Sequence, residues 1–461
     1  MFSLTKTRSA TGGEPGVRNP LLLAADIERV TSDDLMSLAT DRGAVPMQVG
    51  AVLILDTPAE YDPATLIAAI GRRVPAVPRL RQRLVRPGIL FGRPVWIDDP
   101  RFRIDDHVSI APRPAASGVD GLLTVASELV ATRLLSDRPL WAALIVPEMG
   151  DGHTGLVFVF HHVVADGIAG LAILAALADG SPDAPESNFP QSAPTRAALA
   201  RDAARGRLVA IRLIPRALAR LGEAMVQVGP SLRARASASS LNQPTGERRH
   251  LATVDCDLAA VRDVAHANGA TINDVVLSAI TGALHHLLTE RGEVVDKIVI
   301  SVLFSSRRTA ATGSLGNQSG AIPIRLPASG DPLERLRAVA NITTAEKLST
   351  RGVSAAVLGP LFRVLARIGM YQRFVDHQRI VNTFVSNLKG PETALSLGGF
   401  PVVDIVPLTT TSGNITVLFA VLSYAGKLTI TIVSDPATCP DLDALRHALV
   451  AELAALSATR R

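Results

Sequence analysis

The feature that most constrains the fold is an unbroken passage from strand to turn to helix around residues 156–178. Leu156–Phe160 reads LVFVF, an apolar, β-rich run of the kind that forms a buried strand. It leads without a break into His161-His162-Val163-Val164-Ala165-Asp166-Gly167. Ile168–Ala178 then reads as an apolar helix that stops near Asp179-Gly180-Ser181-Pro182. A strand that delivers polar residues to its end and returns as a buried helix belongs to a layered α/β or α+β fold.

The rest of the chain supports that class. Val49–Leu55 is a second apolar strand, Leu90–Trp96 is expected to be a short one, and residues 63–74 and 119–135 have helical spacing. Residues 181–194 (SPDAPESNFPQSAP) have the composition of a linker, and residues 195–236 read as an Arg-rich helix. Beyond them we expect a helix at 272–290, a strand at 297–304 and a helix at 331–347. Strands are expected near 380–386, 415–423 and 427–433, with a last helix from Pro440-Asp441. At roughly 100–200 residues per domain, 461 residues allow two or three domains. We divide the chain into a flexible tail (1–20), a first half (21–180), a linker with helical crossover (181–242) and a second half (243–461).

Composition excludes several classes. With 47% hydrophobic and 19% charged residues the chain has material for a full core. No apolar run reaches the roughly 18 residues of a membrane span. The basic N-terminus lacks the apolar stretch of a signal peptide. The two cysteines, Cys256 and Cys439, lie far apart and suggest neither a disulfide framework nor a metal cluster. A reducing cytoplasm is therefore expected. The formal charge of +5, carried mostly by arginine, suits CoA phosphates or lipid headgroups. No nucleic-acid motif is present, and only 4% of residues are aromatic.

The histidine pair has a direct chemical reading. Successive strand residues point to opposite faces, so one imidazole can face a cleft while the other does not. An imidazole can take the proton of an alcohol as that alcohol attacks a thioester. Asp166 would hold the turn or cap the following helix. A second pair, His285-His286, lies in a helical stretch with no Asp-Gly after it and reads as structural.

HHVVADG is similar to the HHxxxDG signature of chloramphenicol acetyltransferase-like acyltransferases and peptide-synthetase condensation domains. Further blocks resemble one branch, the bacterial wax ester synthase/diacylglycerol acyltransferases. They are PMQVG at 46–50, PRLRQRLV at 78–85, GRPVWIDDP at 92–100 and RPLW at 138–141. Later come Leu241-Asn242, Arg248-Arg249, ATINDVVL at 270–277, Gly316-Asn317, SNLKGP at 386–391 and SYAG at 423–426. The family's SPLDA, SNVPGP and VPVSVR blocks are altered here to TSDDL, SNLKGP and VLFSSRR.

This resemblance implies two chloramphenicol acetyltransferase-like domains with the active-site channel between them. It implies transfer of a fatty acyl group from CoA to diacylglycerol or a long-chain alcohol, with no cofactor or metal. It makes His162 the base, with His161 packing beside it and Gly167 allowing the turn. It pairs Asp166 with an arginine, for which Arg81, Arg83 and Arg307 are candidates. Asn273 and Asp274, equally readable as a helix cap, would shape the channel, and Asn387 and Gly390 would form a turn near it. Acylation of a specialised lipid or polyketide alcohol, and a non-catalytic lipid or acyl-CoA binder, are the alternatives. Poorly soluble substrates imply peripheral contact with the inner membrane face or lipid droplets. The stripe Ile211, Ile214, Leu218, Leu221 and Met225 would make that contact or pack between the halves.

Overall fold

The computed structural model describes residues 27–458, apart from 42, 44, 59, 113–116, 148, 150–151, 182–188, 234, 306–318, 350–361, 363–364, 367 and 412. The tail expected over residues 1–20 lies outside the described residues, as does Arg307. The strands are β1 (Gln48–Asp56), β2 (Gln82–Val85), β3 (Val95–Asp98), β4 (Val108–Ile110), β5 (Trp141–Val146), β6 (His153–His161) and β7 (His250–Asp257). They continue with β8 (Lys297–Ser305), β9 (Ser319–Pro327), β10 (Thr383–Lys389), β11 (Ser396–Leu397), β12 (Phe400–Leu408), β13 (Val417–Tyr424) and β14 (Lys427–Ser434). The helices used below are α1 (Ser32–Thr40), α2 (Pro63–Arg73), α3 (Pro78–Arg81), α4 (Gly118–Ala131), α5 (Gly167–Leu177) and α6 (Arg196–Arg233). They are followed by α7 (Leu258–Ala267), α8 (Ile272–Glu290), α9 (Pro332–Ser349), α10 (Tyr371–Val375) and α11 (Leu442–Ala458).

Two six-stranded mixed sheets form the body, in the orders β11-β12-β1-β6-β5-β4 and β7-β14-β13-β10-β8-β9. The expected α/β class is what the chain adopts. Strand β1 (QVGAVLILD) is central in the first sheet, which is why it reads as continuously apolar rather than alternating. It pairs antiparallel with β6, Gln48 opposite His161 and Leu53 opposite Leu156. On its other side lies β12, with Gly50 opposite Leu408. Residues 400–408 fall within the stretch assigned above to the second half, yet they complete the first sheet.

Each sheet buries an aliphatic core. In the second half, Val254, Val385, Phe419 and Ile430 pack under α7, α8 and α11. In the first, Leu53, Leu156, Phe158 and Ile173 pack with α2 and α5. A third cluster joins Val52, Leu122 and Val159 of the first half to Leu251, Leu418 and Val433 of the second. The halves therefore share apolar packing as well as a strand. Lys427 adds an ionic tie, reaching Asp404 of β12 at 2.6 Å and Asp255 of β7 at 2.9 Å.

Several family blocks turn out to be packing devices. Gln48 is fully buried; its amide donates to the carbonyls of Val130 (3.0 Å) and Thr132 (2.9 Å) and accepts from Leu134 N–H (2.9 Å). It thus satisfies the orphan carbonyls at the end of α4. Trp141 donates its indole N–H to Leu80 O (2.7 Å) and stacks on His107, 4.5 Å between centroids. His107 is held neutral more readily than usual because burial lowers its pKa.

The strand expected over Leu90–Trp96 begins only at Val95. Residues 89–91 instead form a single 3₁₀ turn between Gly88 and Gly92, whose φ angles are +98° and +88°. Those left-handed conformations interrupt an extended chain. Helix α6 runs through Pro215 without a break.

Gly50 marks the closest approach in the first sheet. A Cβ there would lie 2.0 Å from Phe158 O, a backbone atom that cannot move aside. Gly50→Ala is expected to cost about 1–3 kcal/mol, the usual range for overpacking. Thermal melts check this, and an unchanged Tm would show that the β1–β6 spacing is less tight than the coordinates require.

Candidate active site

The histidine pair sits where β6 ends. His161 is the last strand residue and is 6% exposed, whereas His162 begins the turn and is partly exposed. The two side chains diverge, as strand pleating requires. The backbone of both is held. His161 N–H donates to Leu140 O (3.0 Å) and His162 N–H donates to Met47 O (2.8 Å).

His161 is committed to a structural network. Its Nδ1 accepts from Val163 N–H at 3.0 Å, and its Nε2 lies 3.2 Å from Asp41 Oδ2. An Nδ1 that accepts a backbone N–H carries no proton, so Nε2 is the donor to Asp41. Asp41 also accepts from Met47 N–H (3.0 Å) and from Arg133 (2.5 Å). Burial raises the Asp41 pKa, but the His161 hydrogen bond, Met47 N–H and Arg133 outweigh it and bring it to about 2. Sequence reasoning missed Asp41 and Arg133. The only local signal was an acidic residue just before PMQVG.

His162 lines a cavity of about 100 Å³ between the halves. The first half contributes Val49, Gly50, Phe160 and Leu174, and the crossing strand and its end contribute Pro407, Leu408 and Thr409. The second half contributes Ser386, Leu388, Ala420 and Leu422. A second apolar pocket, lined by Leu53, Phe158, Leu177 and Leu397, shares Leu174 with it. An imidazole beside apolar walls is suited to proton transfer with an oxygen brought in by an apolar substrate.

Asp166 is 1% exposed and caps α5, its Oδ1 accepting from Ala169 N–H at 2.9 Å. The helix starts at Gly167, one residue earlier than expected. Of the arginines considered for Asp166, Arg81 faces Asp98 at 3.4 Å and stacks over Phe189. Arg83 forms no ion pair among the described residues. Gly167 matters through close approach rather than through a turn needing left-handed backbone. A Cβ there would meet Leu388 Cδ1, across the cavity, at 2.7 Å.

Asn273 and Asn387 come together, Asn387 Nδ2 donating to Asn273 Oδ1 at 3.1 Å. Asn387 stands inside β10, not in a turn. Strand alternation turns it towards α8, and its neighbours Ser386 and Leu388 face the cavity instead. Gly390 follows the strand and donates N–H to Ser423 O at 2.9 Å; a Cβ would approach that oxygen to 2.4 Å. Asp274 is 2% exposed and completes a capping box with Thr271. Its second oxygen accepts from Thr343 Oγ1 at 2.6 Å, tying α8 to α9. His285 and His286 lie mid-helix, bonded to Val295 O and Glu290.

Two packed sheets with a histidine at a strand end, facing a cavity between the halves, are the arrangement that the HHxxxDG resemblance implies. A profile of the wax ester synthase/diacylglycerol acyltransferase catalytic domain matches residues 30–276, and one of the family's C-terminal domain matches residues 315–457. The chain belongs to the wax ester synthase/diacylglycerol acyltransferase family. It is 30% identical over 435 residues to a Mycobacterium tuberculosis protein named "Probable diacyglycerol O-acyltransferase", covering 90% of this chain and 93% of that one. The solved wax ester synthase/diacylglycerol acyltransferase of Marinobacter aquaeolei VT8 superposes with a TM-score of 0.69 at 20% identity, over 94% of this chain and 99% of that chain. The first condensation domain of the CDA synthetase superposes at 0.60 and 19% identity, over 94% and 96%. At those identities the two structures establish the fold.

The Asp41 network generates a pH test. A carboxylate with a folded pKa near 2, against an ordinary 3.8, stabilises the fold above pH 3.8 and loses that effect as pH falls towards about 2. Asp41→Asn is therefore expected to lower Tm at neutral pH, with the gap to the parent narrowing below pH 3.8. Melts across that range check it. A gap of constant size would mean that the Asp41 charge is not what anchors His161.

Proposed function

We propose that the protein transfers a fatty acyl group from acyl-CoA to an alcohol, with diacylglycerol as the first acceptor and a long-chain alcohol as the second. His162 acts as general base. It takes the hydroxyl proton while the alcohol oxygen attacks the thioester carbon, and the carbon–sulfur bond then breaks. The proton passes to the departing sulfur, so the products are an ester and free CoA, with no covalent enzyme intermediate. General base catalysis of this kind contributes roughly 100- to 10,000-fold.

The observation that supports this reading most is the division within the pair. His161 spends both ring nitrogens on Val163 and Asp41, while His162 lines the cavity. His161 and Asp166 are assigned positioning roles, and Gly167 the close packing against Leu388. Asn273, Asp274, Asn387 and Gly390 line none of the cavity and are assigned to the packing behind its wall rather than to substrate contact. The family implies acyl-CoA and diacylglycerol or alcohol substrates. Leu174 lines both pockets, so a second apolar pocket lies directly beside the cavity. A non-catalytic lipid binder would have no use for an anchored histidine pair at the cavity.

We further propose that the reaction takes place at a membrane or lipid-droplet surface facing the cytoplasm. Both substrates are poorly soluble, and no helix among the described residues is long and apolar enough to cross a membrane.

The test is direct. Purified protein is incubated with labelled palmitoyl-CoA and either diacylglycerol or hexadecanol, and the lipids are separated. Label is expected in triacylglycerol, and at a lower rate in wax ester. Label confined to acyl-CoA and free fatty acid would overturn the proposal.

A further inference from the structure

We infer that the turn at residues 89–91 and the exposed middle of α6 together form the element that docks this protein on an anionic lipid surface. The inference rests on the lipid-acyltransferase reading and assigns to it a surface partner and a point of contact.

The turn is the most exposed apolar feature of the described chain: Ile89 is 93% exposed and Leu90 74%. Two adjacent aliphatic side chains so fully in water are costly unless something covers them. Their carbonyls already have partners within the protein. Arg207 of α6 donates one amine to both Ile89 O (2.7 Å) and Leu90 O (3.1 Å), and Phe91 N–H donates to Gly88 O (3.1 Å). Lipid-exposed backbone must have its polar groups satisfied internally. Gly88 and Gly92, both at positive φ, bend the chain on either side so that the turn projects as a tip.

Among its described side chains, helix α6 is buried only near its start. Leu199 and Ala203 are buried, and Arg29 holds this end by pairing with Asp202 and donating to Leu199 O and Arg93 O. From Ala204 to Pro215 every residue is exposed. Leu208, Val209, Ile211, Leu213 and Ile214 are 43–61% exposed and spread around the whole helix. A helix that is apolar on all sides is normally surrounded by an apolar medium. Ile211 and Ile214 follow Arg207 by four and seven residues and so continue the face that meets the tip.

Charge selects the occupant. Residues 82–93 carry Arg83, Arg86 and Arg93 with no acidic residue, and residues 203–216 carry Arg205, Arg207, Arg212 and Arg216 with none. Apolar side chains ringed by arginines match a bilayer interface with anionic headgroups, the long arginine stems reaching from the apolar layer to the phosphates. A second copy fits less well, because a two-fold contact would set these arginines against each other. The earlier expectation of a stripe through Leu218, Leu221 and Met225 concerns side chains outside the described residues.

Flotation with vesicles of phosphatidylcholine, with and without phosphatidylglycerol, tests the inference. The full chain is expected to float with the anionic vesicles and to be released by salt. Ile89→Ser combined with Leu90→Ser should cut flotation at least tenfold, leave the melting curve unchanged and leave turnover of a water-soluble acyl-CoA and short alcohol within twofold. Equal flotation of parent and variant would overturn the assignment. So would a parent that ignores vesicles but forms a dimer or binds a protein partner through these residues. Failure of the soluble reaction in the parent, with flotation intact, would count against acyl transfer and leave the docking element standing.

Discussion

Strand β12 leaves the second half of the chain to pair with β1, and the site depends on that crossing. Gly50 stands opposite Leu408 in the pairing, and both line the cavity that holds His162. Without β12 the first sheet would end at β1, and β1 would present an open edge where the cavity wall now stands. The crossing is reinforced on its far side. Tyr424 donates its hydroxyl to Val402 O and accepts from Leu395 N–H, both at 2.8 Å, while Lys427 bridges to Asp404. Separating the halves would break a sheet ladder, an aliphatic cluster and an ion pair together. The cavity is thus a built feature of one cooperative body, not a gap between two loosely apposed units.

Within that frame, the two histidines divide their labour by strand geometry. The pleat sends His161 towards Asp41 and His162 towards the cavity. Asp41 is then the hub. It closes the end of α1, receives Met47 N–H, and Met47 in turn accepts His162 N–H through its carbonyl. One partly buried carboxylate therefore holds the His161 ring directly and the His162 backbone through Met47. Asp166 fixes the other end of the turn by capping α5. A base gains most when its geometry is set before substrate arrives, because no reorganisation is then needed at the moment of proton transfer.

Local pattern and long-range contact differed sharply in how far the residues revealed them. The strand at 156–160 and the helix at 272–290 were readable because their apolar periodicity is strong and their ends carry capping or turn residues. Strand β12 was not, since Pro401 and Pro407 argue against a strand; Pro401 stands near the strand's start opposite Ser396 of the two-residue β11, and Pro407 lies beyond the reach of β11, where β1 alone pairs with the strand. The strand expected at Leu90 failed because two glycines adopt positive φ there, which sequence allows but does not require. Asn387 looked like a turn residue beside Gly390 and is a strand residue turned away from the cavity. His162, Asp166 and Gly167 were legible as a motif. Asp41 was not, because its partners lie 92 and 120 residues away.

The central claim is that His162 alone of the pair carries the proton. Steady-state release of CoA thiol from a soluble acyl-CoA and a short alcohol, measured on His162→Ala, tests it most directly. His285→Ala, a histidine in the second pair, serves as the control, and melting curves confirm that each variant is folded. A loss of roughly 100-fold or more is expected for His162→Ala, the scale of a missing general base, with His285→Ala close to the parent. Thiol release at near-parent rate by folded His162→Ala would contradict the claim.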